Sequence, residues 1–273
     1  MPLSTGYDLK HPDKTFILPD TLREISGLAL IDTVSFACVQ DENGILFIYD
    51  VIENRIRKQY NFNVNGDYEE ITKVGNEFYI LRSDGVLFEI KNFESTTFKV
   101  HSFKTGIPAT NNEGLCYDPK ANRLLVACKG KIGKGTEFKD RRVIYGFDLK
   151  TKKLSKEPVF DFNIQVIRQF MDDHEITVPG RGVQKGRKFV PLLKFNISAI
   201  CIHPKTKQLY VLSASDHMLF IFSMDGDIEH VEPLDPVLFN KPEGITFFEN
   251  GDMLISNEGQ NKKPTLLRFN YKG

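Results

Sequence analysis

Asn112-Glu113-Gly114-Leu115 decides the reading of this chain, because the pattern Glu-Gly-Leu returns along it in variant form. Its copies are Ser26-Gly27-Leu28, Glu69-Glu70-Ile71, Glu113-Gly114-Leu115, Ser198-Ala199-Ile200 and Glu243-Gly244-Ile245. Their first residues are separated by 43, 44, 85 and 45 positions, so one interval is about twice the others. A supersecondary unit that recurs every 40–45 residues is the mark of a repeat architecture in which each unit buries its faces against its neighbours.

Each copy opens an apolar run that is followed, after a polar turn, by further strand-like runs. In the first unit Ser35–Val39 and Ile45–Val51 flank Asp41-Glu42-Asn43-Gly44, and in the second Phe78–Leu81 and Val86–Ile90 flank Ser83-Asp84-Gly85. These are hairpin signals. The later units continue with Leu124–Cys128 and Val143–Leu149, Leu209–Ser213 and Met218–Phe222, and Met253–Ser256 and Thr265–Phe269. The spacing predicts an all-β, five-bladed β-propeller of four-stranded antiparallel blades. The last unit has only three strands before Gly273, while Thr15-Phe16-Ile17-Leu18 precedes the first blade with no role in it. That segment is expected to add the outer strand of the last blade and so close the ring with an N-terminal strand; the alternative is a disordered arm.

The expected layout is one propeller domain over residues 14–273, an N-terminal arm over 1–13, and an insertion at about 161–195 inside the long interval. The insertion reads as lacking paired hairpin runs. It holds a short helix over Ile164–Phe170 and a basic loop from Val178-Pro179-Gly180-Arg181-Gly182 through Lys185-Gly186-Arg187-Lys188, either a lid or partner contact or a solvated decoration.

Lys plus Arg balance Asp plus Glu, 36 against 36, which removes the global field that would draw the chain to nucleic acid or to an anionic membrane. No segment reaches the length of a membrane-spanning helix, and Met1–Lys14 holds no apolar stretch of the kind a signal peptide needs. Cys38, Cys116, Cys128 and Cys201 each lie in an apolar run and read as buried thiols. The chain reads as a soluble monomer.

The first strand of a propeller blade lines the central channel, so the motif brings Glu69, Glu113 and Glu243 to a similar height on its wall. Like charges that close either raise one another's pKa or require a cation, and oxygen donors without imidazole or thiolate suit Ca²⁺. Ser26 and Ser198 hold the equivalent place in the other two blades. The opposing reading is that each Glu accepts hydrogen bonds from main-chain N–H groups and fixes blade against blade. A second equivalent set follows the second strands: Gln40-Asp41-Glu42, Arg82-Ser83-Asp84, Cys128-Lys129, Ser213-Ala214-Ser215-Asp216 and Ser256-Asn257-Glu258. These turns share a face, as the rim of a site or as ordinary hairpin polarity.

Catalytic motifs are absent. Gly130-Lys131-Ile132-Gly133-Lys134-Gly135-Thr136 lacks the Lys-Ser/Thr of a phosphate loop, the six His show no metal-ligand spacing, and no G-x-S-x-G elbow exists. His203, ahead of Pro204-Lys205, reads as structural.

With these repeats in hand, Glu24-Ile25-Ser26-Gly27-Leu28, Gly66-Asp67-Tyr68-Glu69-Glu70-Ile71, Asn112-Glu113-Gly114-Leu115, Pro242-Glu243-Gly244-Ile245 and Ser256-Asn257-Glu258 resemble the SdiA-regulated family over about residues 14–270. The resemblance implies a bacterial five-bladed propeller, distantly like NHL-repeat propellers, with a calcium-binding site to which Glu69, Glu113 and Glu243 are carried over. It also implies a place in the cell envelope, if an export signal was removed. Ser198-Ala199-Ile200 departs from the pattern, where Gly is the usual second residue. The expected function is a calcium-binding propeller acting as a binding or interaction module, its protein or small-molecule ligand at the channel or the turn face. The alternative is a calcium-dependent hydrolase or lactonase, and a third reading is a metal-free scaffold.

Overall fold

The computed structural model describes residues 5–95, 98–179, 182–185 and 188–273, with the backbone alone for 182–185 and 188–191. Side chains along a strand alternate between its two faces, and in this chain both faces of nearly every central strand are apolar. Phe36 and Cys38 pack to one side of their strand and Ala37 and Val39 to the other, each within a different buried cluster. A sheet apolar on both faces must be covered on both, and the solution here is a ring of sheets. Five buried clusters result, each filled by two successive blades, the last joining Leu254 and Leu266 to Leu28 and Phe47.

Blade 1 is built from Ile25–Leu30, Ser35–Gln40, Ile45–Asp50 and Arg55–Asn61, and blade 2 from Tyr68–Val74, Glu77–Arg82, Val86–Lys91 and Lys99–Lys104. Blade 3 takes Asn112–Asp118, Arg123–Cys128 and Arg141–Asp148; its outer edge is shared by Lys153–Leu154 and Phe160–Asn163, which pair with opposite ends of Arg141–Asp148. Blade 4 comprises Ala199–Ile202, Leu209–Ser213, Met218–Phe222 and Ile228–Pro233. Blade 5 has Pro242–Phe247, Met253–Asn257 and Thr265–Phe269 from the C-terminal end of the chain, and Lys14–Ile17 as its fourth strand. Lys14 stands opposite Arg268 and Ile17 opposite Thr265, so the ring closes through the N-terminal strand, as the unequal strand count requires.

The expected helix runs from Ile164 to Asp173, three residues beyond Phe170. Asn163 caps it, its side-chain oxygen accepting from Gln165 N at 2.9 Å, and Ile164, Ile167 and Met171 are buried in the cluster between blades 3 and 4. The segment after it differs from the expectation of an unpaired basic loop. Gly182–Lys185 and Lys188–Pro191 pair as an antiparallel hairpin; Val183, Phe189 and Val190 carry the strand signal, hidden by the lysines between them. Gly180, Arg181, Gly186 and Arg187 of that loop lie outside the described residues.

All four cysteines are free thiols, three buried and Cys201 half-buried. His203 is fully buried and structural, as expected: its Nδ1 accepts from Lys205 N and Thr206 N at 3.3 and 3.0 Å. That leaves Nε2 to donate to Tyr7 Oη at 2.8 Å, and Tyr7 in turn donates to Gly251 O at 2.5 Å. No helix is long and apolar enough to cross a membrane among the described residues.

Candidate functional site at the channel mouth

The inner strands do not run straight into the channel. In four of the five blades the pairing slips by one residue at the motif, between Ile25 and Gly27, Tyr68 and Glu70, Asn112 and Gly114, and Pro242 and Gly244. The extra residue in each case is the first of the motif: Ser26, Glu69, Glu113 and Glu243. A bulge turns its residue out of the ladder and re-aims its side chain, so one local irregularity, repeated around the ring, delivers three glutamates to one mouth.

Past the bulge each strand pair makes one more main-chain contact. Asp41 N donates to Glu24 O at 3.3 Å, Ser83 N to Asp67 O at 2.9 Å, Lys129 N to Asn111 O at 3.1 Å and Glu258 N to Lys241 O at 3.0 Å. The residue two before each bulge is thereby set beside the turn after the second strand. The mouth gathers seven carboxyl groups, Glu24, Asp41, Asp67, Glu69, Glu113, Glu243 and Glu258, around two ammonium groups, Lys129 and Lys241.

Lys129 is ion-paired with Glu113. Lys241 bridges Glu258 Oε1 at 2.6 Å and Glu243 Oε1 at 3.3 Å. Two cations stand among seven carboxyls, and several of the carboxyls are raised, first by burial and then by one another. Burial, then the charges of Glu113 and Asp67, pushes Glu69 up to about 9. Burial and Glu113 push Glu243 up to about 7. Burial, with Glu24 and Glu258 beside it, brings Asp41 to about 7. Glu113 and Glu258 are raised as well, mainly by burial. Burial works against the charge of both lysines, yet the neighbouring carboxylates outweigh it and hold them above the ordinary range. Glu113 Oε2 and Asp41 Oδ1 are buried without a hydrogen-bond partner.

Glu69, Glu113 and Glu243 therefore share an electrostatic neighbourhood. Ser26 and Ser198 instead use their hydroxyls on the main chain, at Glu24 O (3.2 Å) and Pro242 O (3.1 Å). Of the five turns expected to form a rim, three contribute: Asp41, Lys129 and Glu258. The other two are structural. Arg82 and Asp84 pair with each other at 2.9 Å, and Asp216 accepts from Lys194 N, Phe195 N and Ser213 Oγ.

The blade-fixing role considered for the bulge glutamates falls to Glu70, which the motif reading passed over. Glu70 occupies the place of glycine in the second copy and is fully buried. Its Oε1 accepts from Ile71 N at 3.0 Å and from Leu28 N of blade 1. Gly27 makes this possible, because a Cβ there would stand 2.1 Å from Glu70 Oε1 and 2.6 Å from Glu70 Cα. Glu70 Oε2 has no partner, and burial holds the carboxyl well above its ordinary range.

As donors for a hard cation the mouth offers only oxygen, and the orphaned oxygen of Glu113 fits that chemistry. Among the described residues no three carboxylates, imidazoles or thiols are grouped closely enough to hold a metal ion as they stand.

The fold and mouth define the class: a five-bladed propeller with a carboxylate-rich channel. The model of the SdiA-regulated family matches residues 174–271, the part of the chain that holds Pro242-Glu243-Gly244-Ile245 and Ser256-Asn257-Glu258, in agreement with the resemblance read there. No curated protein matches the chain. Among solved structures it is similar to the glutaminyl cyclase of Myxococcus xanthus, at 13% identity and a TM-score of 0.62 over 95% of this chain and 94% of that one. It is also similar to a luciferin-regenerating enzyme, at 13% identity and a TM-score of 0.50 over 95% of both chains. A Bacteroides thetaiotaomicron protein of unknown function matches at 10% identity and a TM-score of 0.53, over 86% of this chain and 52% of that one. At these identities the likeness is one of fold.

Proposed function

We propose that this chain is a binding module whose ligand site is the carboxylate-rich mouth of the channel, and that the site takes Ca²⁺. The reading is carried by the repeated bulge, which aims Glu69, Glu113 and Glu243 at one mouth where carboxyl groups outnumber ammonium groups. Glu69, Glu113 and Glu243 would hold the ion, with the unpartnered oxygen of Glu113 as the first donor. A bound ion would draw three blades together and fix the mouth for whatever protein or small molecule docks there.

The test is thermal unfolding of chelator-stripped protein titrated with Ca²⁺ and with Mg²⁺, beside the same titrations of Glu113→Gln. Ligand at about a hundred times its Kd adds roughly 2.7 kcal/mol to stability, so a midpoint that rises with Ca²⁺ and not Mg²⁺, and less in the variant, is the expected result. No response in either protein overturns the calcium reading and leaves a metal-free scaffold.

A second reading is enzymatic. Glu69, held near pH 9 beside Glu113, is a carboxyl kept protonated next to a group paired with an ammonium, the arrangement that separates a general acid from a general base. Such a pair would serve calcium-dependent hydrolysis of an ester or lactone, or the acid–base steps of a glutaminyl cyclase, the activity named for the Myxococcus protein. Turnover of a lactone or an N-terminal glutaminyl peptide that vanishes in Glu69→Gln would favour this reading over a pure binding module.

A further inference from the structure

The other end of the channel holds a cavity of about 750 Å³, within the roughly 300–1,000 Å³ of small-molecule sites. All five inner strands line it, through the third residues of the motif copies (Leu28, Ile71, Leu115, Ile200 and Ile245) and the residues that follow them (Ala29, Thr72, Cys116, Cys201 and Thr246). The following residue is small in every blade, so the strands converge without filling the space between them.

We propose that this cavity is a second ligand site, independent of the carboxylate mouth, for an uncharged amphipathic small molecule with an amide or hydroxyl head and an apolar body. The preference for a neutral ligand follows from the rim, where Lys73, Arg268 and Asp32 are held by partners within the chain and the remaining charged residue, Glu249, is exposed to solvent. Lys73 Nζ donates to Ile31 O at 3.0 Å, Arg268 is paired with Asp252 at 2.5 Å, and Asp32 accepts from Val34 N and Ser35 N, both at 2.8 Å. A charged ligand would have to draw one of these groups from its partner or stay at the solvent-exposed Glu249, whereas a neutral one disturbs none of these contacts.

The polar head has receptors. Thr72 and Thr246 line the cavity half-buried, and neither hydroxyl makes a hydrogen bond within the chain. Glu70 stands between the two ends of the channel, within electrostatic reach of Glu69 and Glu243 on one side and of Cys116 and Cys201 on the other. The apolar body meets the aliphatic ring and Phe247 and Phe248. Burial pushes the Cys201 thiol up to about 12 and raises Cys116 too, so both walls are neutral sulfur rather than thiolate.

Cys201 also supplies the readout. It is half-buried and lines the cavity, whereas Cys38 and Cys128 are fully buried elsewhere. Because burial leaves Cys201 largely as the slowly reacting thiol, intact protein is treated for hours with excess methyl methanethiosulfonate at about pH 8.5, and the modified cysteines are located by mass spectrometry, without additive and with octanamide, octanoate or octylammonium. The expected result is reaction at Cys201, slowed severalfold or more by octanamide and little by the two ions, with Cys38 and Cys128 unmodified. Thr72→Val and Thr246→Val, which keep the shape and remove the hydroxyls, weaken the octanamide effect and leave the Ca²⁺ response as it is. A Cys201 that never reacts, no protection by octanamide, or equal protection by all three amphiphiles overturns the proposal, whatever the outcome at the mouth.

Discussion

The two ends of the channel are made from the same short motif and come out opposite in character. At the mouth, a bulge places the motif's first residue beside charged neighbours, and Glu69, Glu113 and Glu243 gather there with more carboxyl groups than two lysines can balance. Three residues further along each strand, the same repeat presents Ala29, Thr72, Cys116, Cys201 and Thr246 around an open, largely neutral cavity. Position along one strand, and not a difference of fold, separates a charged end from a neutral one. Glu70 stands between them, where the other blades have Gly or Ala.

Removing that divider is the largest way to break the comparison. Glu70→Ala leaves Leu28 N and Ile71 N without their shared acceptor, and a buried donor stripped of its partner costs about 1–3 kcal/mol. Urea unfolding should show a loss of that size or somewhat more, while Glu70→Gln, which keeps an acceptor oxygen, should stay close to the parent. Equal losses in both variants would mean that the side chain acts through its volume and not through the two hydrogen bonds.

The two ends also separate by pH. His203 lies beside Phe247 of the cavity wall, and burial holds it down to about 4. The folded protein therefore resists its protonation. The stability this neutral imidazole lends is complete above the unfolded value near 6.5 and is lost as pH falls from there to about 4, with a slope of at most about 1.4 kcal/mol per pH unit. At the mouth the sign reverses. Glu69 is raised to about 9, so its contribution is complete below about 4.5 and is lost as pH rises through 9. Denaturant midpoints measured from pH 4 to 9 should fall at both extremes, and His203→Gln should flatten only the acid limb.

The repeat was legible in the sequence because a blade cannot bury its two faces alone and must reuse one pattern; strand positions such as Leu209–Ser213 and Met218–Phe222 agree with the structure to the residue. The mouth was legible in part. The bulge residues coincide with the motif's first positions, and Asp41, Lys129 and Glu258 lie in turns already marked as equivalent. Glu24, Asp67 and Lys241 were passed over, although each stands two residues before a bulge, where one extra main-chain contact sets it beside a turn. Glu70 was hidden by being read as a variant of glycine, when its difference in size was the signal. The cavity had no motif to announce it, since it is a space left by small residues whose common place in the repeat shows only when the blades are superposed.

The most direct test of the central claim follows the carboxyl groups themselves. A ¹³C NMR titration of the glutamate side chains in ligand-free protein, compared with Glu113→Gln, asks whether the three bulge residues share one mouth. The expected result is Glu69 titrating near 9 and Glu243 near 7 in the parent, with both moving down in the variant as the Glu113 charge is removed. Titration of both near the ordinary 4.5, unchanged in Glu113→Gln, would contradict the convergence on which the account of the mouth rests.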